Sequence, residues 1–173
     1  MVEGELQREH QSSDGIYASH SLLKAPAVIE VDRLFGLTPT YEYTYRAKTE
    51  VKMLGIRKGL IGSHLMKSEV FRLNMLNTLS AIAQKRETAL RPCPLDNAED
   101  RLRHFLSIIF YDCKGEVEIF IHMKELAHYI DERRITVSQI LNRWDKEGSI
   151  RLGRGHFIIH DIENILKCES VKM

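Results

Sequence analysis

Apolar residues change their period twice along this chain. Up to Ile56 they alternate with polar residues, as in Ile16-Tyr17-Ala18-Ser19-His20 and in Thr44 to Val51. The runs are broken by turn chemistry at Ser12-Ser13-Asp14-Gly15 and by Pro26, Gly36 and Pro39. A period of two marks half-buried strands, so Gly4 to Ile56 is predicted as a meander of short strands. That is too little sheet to close a sandwich alone, and because the first residues already read as mid-strand, further strands upstream are expected.

From about Ser63 to Leu90 the period becomes helical, with Phe71, Met75, Leu79 and Ile82, and also Leu76, Ala83 and Leu90, at spacings of three, four and seven. A helix of this length has two apolar stripes to bury, and one can pack on the β layer. The other, through Met75, Leu79, Ile82 and Ala89, is spaced like a coiled-coil seam, with Ala83 beside it and the polar Arg86 on it. The alternative is that both stripes belong to the chain's own core. Pro92 and Pro94 end the helix, and a boundary is placed there.

Beyond it, Leu102, Phe105, Leu106 and Ile109 mark a helix, and Val117, Ile119 and Ile121 a short strand. Leu126, Ala127 and Ile130 give the next helix one apolar face. Asp131-Glu132-Arg133 interrupts it, and Val137, Ile140, Leu141 and Trp144 then repeat at i, i+3, i+4 and i+7. The pattern is helix, tight turn, helix, with Asp131 where a left-handed backbone is needed. With its inner face committed, the second helix points Arg134, Ile135, Thr136, Ser138, Gln139 and Arg143 outward. Gly148 closes it, and Ile150 and Leu152 pair across Gly153-Arg154-Gly155 with Phe157 and Ile159 as a hairpin. Helix-turn-helix plus hairpin is a winged helix-turn-helix.

Charge sharpens this reading. From Asp96 onward 12 Lys or Arg face 14 Asp or Glu, yet within Arg133 to His156 six cations face two anions. The basic charge is concentrated where groove binding requires it. The major groove accepts one helix, Arg can grip guanine at two atoms and Gln can do the same to adenine, so Arg134 and Gln139 are the candidates for base contacts. Arg133, Thr136, Ser138 and Arg143, and Arg151 and Arg154 on the wing, complete the expected DNA-binding set. Cys93, Cys113 and Cys168 are an odd count without C-x-x-C spacing, which argues against a disulfide framework and against a zinc or iron-sulfur site. No catalytic or metal residue is singled out: there is no nucleophile-base motif, no Gly-rich phosphate loop and no metal-ligand spacing. The first twenty residues lack an apolar run fit for a signal peptide or a membrane span, so a cytoplasmic protein with no membrane partner is expected.

These motifs resemble the cyclic-AMP receptor protein and fumarate-nitrate regulator (CRP/FNR) superfamily of bacterial transcription factors over nearly the whole sequence. The matching pieces are Leu34-Phe35-Gly36, Arg46-Ala47-Lys48-Thr49, the helix to Leu90, Lys124-Glu125-Leu126-Ala127 and Arg134-Ile135-Thr136-Val137-Ser138-Gln139. The resemblance implies an α+β chain, apparently shortened at its N-terminus. Its parts are a partial jelly-roll-like β-roll sensor over 1–62, a dimerisation helix over 63–91, a hinge over 92–97 and the winged helix-turn-helix over 98–173. It also implies double-stranded DNA, a second copy of the chain and RNA polymerase as partners, and a dimer interface through Met75, Leu79, Ile82, Ala83 and Arg86. In the family the reading helix commonly begins Arg-Glu-Thr-Val-Ser-Arg. Here Ile135 replaces the Glu and Gln139 the final Arg, and Arg133 stands where Ser or Thr would cap the helix. Where cyclic-nucleotide binders carry a Gly-Glu and an Arg-Ser or Arg-Thr pair, this chain has Gly36-Leu37 and Tyr41-Glu42. Cyclic AMP is therefore not the expected effector, and neither another effector nor a cofactor is named. The rival expectation is a ligand-sensing or protein-interaction module whose winged helix does not bind DNA.

Overall fold

The structure is a computed structural model that describes residues 1–90 and 97–167. The hinge expected at 92–97 lies outside the described residues except for Asn97, as do Cys93 and Cys168.

The alternating N-terminal segment forms β1 (Glu5–Gln11), β2 (Tyr17–Lys24) and β3 (Thr44–Ala47). Turn residues join the first two as expected, with Gly15 at φ 72° and its N–H donating to Ser12 O at 2.9 Å. The stretch between β2 and β3 is irregular apart from a 3-10 turn at Val31–Arg33. A short α1 (Lys58–Ser63) and a second 3-10 turn at Leu65–Lys67 precede the long α2 (Glu69–Leu90). This helix begins six residues later than its apolar period suggests, because Ser68 is extended (ψ 123°) and its hydroxyl takes the N–H of Phe71.

The C-terminal part follows as α3 (Ala98–Ile109), β4 (Val117–Ile121), α4 (Met123–Tyr129), α5 (Arg134–Lys146), β5 (Ile150–Gly153), β6 (His156–Ile159) and α6 (Ile162–Leu166). Leu102, Leu106, Ile119, Val137, Ile159 and Ile162 are fully inaccessible there, and the main hydrophobic cluster lies wholly within these elements. Among the first ninety residues only Leu6, Ile61, Met75 and Ala89 are buried apolar side chains.

All six strands belong to one antiparallel sheet in the order β3-β1-β2-β4-β6-β5. The N-terminal strands thus extend the wing sheet: β2 pairs with β4 from Tyr17↔Ile121 to Ser21↔Val117, across the boundary expected near residue 92. Polar side chains reinforce the join. Arg8 on β1 is buried and donates to both carboxylate oxygens of Asp112 (2.7 and 3.1 Å), to Cys113 Sγ (2.8 Å) and to Ser21 Oγ (3.0 Å). A charge-assisted, bidentate pair of this kind needs further donors engaged too, and here Ser21 and Cys113 accept from Nε and Nη2.

The orientation of α2 shows which of its two apolar stripes packs on its own chain. Met75 and Ala89 are buried against their own chain, and Phe71, Leu79 and Ile82 are half-buried. Arg86 donates to Tyr111 Oη (2.9 Å) and to Asp32 Oδ2 (2.8 Å). Met75, Leu79, Ile82 and Arg86 therefore line the intramolecular side, and of the five residues expected at a dimer interface only Ala83 is exposed. The exposed apolar stripe runs through Leu73, Leu76, Ala83 and Leu90.

Candidate nucleic-acid interface

Helix α5 is held by its inner stripe, since Val137, Ile140, Leu141 and Trp144 are at most 7% exposed. Trp144 is nearly inaccessible, and its indole N–H must find an acceptor there. It donates to Glu99 Oε1 on α3 at 3.0 Å. Glu99 also pairs with Arg103 at 2.5 Å and with Arg143. The turn before α5 is fixed in the same manner: Asp131 takes φ 51°, and Arg101 donates to Ile130 O at 3.0 Å and pairs with Glu132. As its sequence implies, the helix lacks a side-chain cap, for Arg133 makes none. Gly148 adopts φ 74° just beyond the helix, a geometry that favours glycine.

What remains outward can be read by period. Opposite the inner stripe lie Ile135, Gln139, Asn142 and Lys146, at steps of four, three and four residues, and all four are exposed. Arg134 and Ser138 flank this line on one side, and Thr136 and Arg143 on the other. Ser138 Oγ accepts from Asn142 Nδ2 at 3.2 Å. Arg133 and Arg134 are exposed, as are Arg151 and Arg154 on the wing. The wing is the β5–β6 hairpin, with Ile150 opposite Ile159 and Leu152 opposite Phe157. Its turn places Arg154 at the tip between Gly153 and Gly155, and a Cβ on Gly153 would meet the His156 ring at 2.3 Å. Thr136 is half-buried at the helix flank. Arg143 is drawn back onto α3 by Glu99 and is less available than its outward position suggested.

Glu99 and Arg101, which orient the reading helix, were not singled out from the sequence. Their spacing from their partners, 45 residues for Glu99 to Trp144 and 31 for Arg101 to Glu132, leaves no local signal. Among the described residues no group of three His, Cys, Asp or Glu is placed to hold a metal ion. No described helix is long and apolar enough to cross a membrane.

Two layers of helix and a wing around one outward reading helix define a winged helix-turn-helix. Residues 100–168 match the Crp-like helix-turn-helix domain. Solved structures similar to the chain include a CRP/FNR-family transcriptional regulator from Thermus thermophilus, with 20% identity over 98% of this chain and 87% of that one at a TM-score of 0.42. The catabolite activator protein of the same organism has 21% identity over 95% and 78%, with a TM-score of 0.43. FixK2 from Bradyrhizobium japonicum has 11% identity over 99% and 86%, with a TM-score of 0.41. These likenesses are too distant to bear on function. No curated protein sequence matches the chain.

A second region was expected to sense a ligand. Glu42 pairs with Arg33 and lies 3.9 Å from Arg86, while Glu30 accepts from the backbone N–H groups of Glu42 (2.6 Å) and Tyr43 (3.2 Å) and from Tyr45 Oη (3.0 Å). The cavity beside these groups holds only about 140 Å³.

Proposed function

We propose that the protein is a sequence-specific, double-stranded DNA-binding transcription regulator that acts as a homodimer and does not respond to cyclic AMP. The observation that carries this reading is the unpaired basic surface of α5 and the wing. Among the described residues the side chains of Arg133, Arg134, Arg151 and Arg154 have no hydrogen-bond or ion-pair partner, whereas Arg8, Arg33, Arg86, Arg101, Arg103 and Arg143 are all engaged within the chain. The uncommitted guanidinium groups lie beside a helix that is held rigidly from behind, which is what groove insertion needs.

The roles divide by reach. Arg134 and Gln139 stand at or beside the outward line of the helix and are assigned to bases, and Arg151 and Arg154 to phosphates. On a palindromic duplex selected for tight binding, Arg134→Ala should cost about 1–3 kcal/mol and relax discrimination at one position of each half-site. Arg154→Ala should weaken all duplexes alike and lower the salt slope by about one unit for each phosphate that Arg154 neutralises. Fluorescence anisotropy measures both. An Arg134→Ala protein with unchanged affinity and preference contradicts the assignment.

Two features support the remaining parts of the proposal. The stripe through Leu73, Leu76, Ala83 and Leu90 gives α2 a face free to meet a second copy. At the sensor, a cavity of about 140 Å³ is well below the roughly 300–1,000 Å³ usual for small-molecule sites, and the Arg33 and Arg86 guanidinium groups that line it are engaged by Glu42 and Asp32. The rival reading, a winged helix used for protein contacts alone, draws on the acidic balance of the C-terminal half.

A further inference from the structure

We infer that Ile135 is a specificity-determining residue that reads the 5-methyl group of a thymine. This rests on the DNA-binding reading above and deepens it. Ile135 is the second residue of α5 and is 71% exposed. Isolated apolar residues on a surface are ordinary, so exposure alone carries nothing. Position does. Ile135 lies on the line through Gln139, Asn142 and Lys146 that points directly away from the buried Val137, Ile140, Leu141 and Trp144, at the N-terminal end of the helix that enters the groove first.

The chemistry available at that point is narrow. Ile135 neither donates nor accepts a hydrogen bond through its side chain, so it gives no preference among the polar edges of the major groove. Among the four bases only thymine shows an apolar group there, its 5-methyl. A β-branched side chain on a helix is held in one strongly preferred rotamer, so the contact costs little further ordering. The neighbours fit the same base step: Arg134 supplies positive charge on one side, and the carboxamide of Gln139, which makes no hydrogen bond among the described residues, follows one turn later. Gln at that place suits adenine, so each half-site should hold a thymine read through its methyl and an adenine read through its edge.

Deoxyuridine keeps every hydrogen-bonding edge of thymine and lacks only the methyl, and this makes the test specific. A palindromic duplex is selected from a randomised library with the full chain, and each thymine of the half-site is then replaced in turn by deoxyuridine. One position should respond with about a fourfold loss of affinity per half-site, the factor corresponding to about 0.8 kcal/mol for one buried methyl-sized group. Ile135→Ala should bind the thymine and uracil duplexes equally while keeping the wild-type salt slope, and Ile135→Val should retain a reduced thymine preference. Wild-type binding that is indifferent to uracil at every position overturns the inference and leaves DNA binding intact. A uracil effect that persists in Ile135→Ala overturns it as well, by assigning the methyl to another residue. Failure to bind any duplex removes both the inference and the reading beneath it.

Discussion

Cys113 is surrounded by groups that pull its thiol in opposite directions. Burial pushes it up from its ordinary value, the Arg8 guanidinium at 2.8 Å opposes this, and the net effect is a rise from 9.0 to about 11. The thiol is therefore protonated throughout the physiological range, and it acts as an uncharged acceptor for Arg8 and not as a reactive centre. A folded-state pKa raised above the unfolded value contributes stability that is fully present below pH 9 and is lost as pH climbs through about 11. In a protein carrying Cys93→Ser and Cys168→Ser, Cys113 should resist iodoacetamide at about pH 8, where the thiolate is scarce, until the chain unfolds. The melting temperature should also fall between pH 9 and about 11 by an amount that Cys113→Ala lacks. Rapid alkylation of the native protein would contradict the burial on which this rests. The sequence did announce a free thiol here. It did not announce the partner, because Arg8 lies 105 residues away and no local pattern records such a pairing.

The helix α2 shows where periodicity informs and where it stops. Two apolar stripes are plain in its sequence, but which of them faces inward depends on what is packed beside it. The structure turns Met75 and Ile82 inward because Asp32 and Tyr111 lie where Arg86 can reach both, and this leaves Leu76 outside, 53% exposed. Placing a carboxylate in a dimer seam is costly without a partner, whereas on a free surface it is nearly neutral. Leu76→Asp should consequently convert a dimer to a monomer in sedimentation with little change in melting temperature, while Met75→Ala should lower the melting temperature by creating a cavity. A dimer that survives Leu76→Asp would place the seam elsewhere. The reading helix α5, by contrast, was legible almost residue by residue. Its inner stripe, its preceding turn at Asp131 and its missing cap are all properties of adjacent positions. The pairing of β2 with β4 was not, since either strand alternates equally well against any neighbour.

Across the whole molecule, that pairing ties the N-terminal strands to the element assigned to DNA. Any change around Arg8 and Asp112, or around Asp32 and Arg86, meets the end of α3 within a few residues, and α3 in turn holds α5 through Glu99 and Arg101. The N-terminal layer and α5 share one frame, so a ligand that moved the former would move the latter with it. The claim on which everything else depends is that this head binds duplex DNA through its free cations. With Arg134 given to a base, Arg133, Arg151 and Arg154 remain for phosphates, about six contacts in a dimer. Anisotropy of the wild-type chain on its selected palindrome, followed across a salt series, should then show log affinity falling against log salt with a slope of about −5. A slope near zero, or no binding at the lowest salt, would contradict the account.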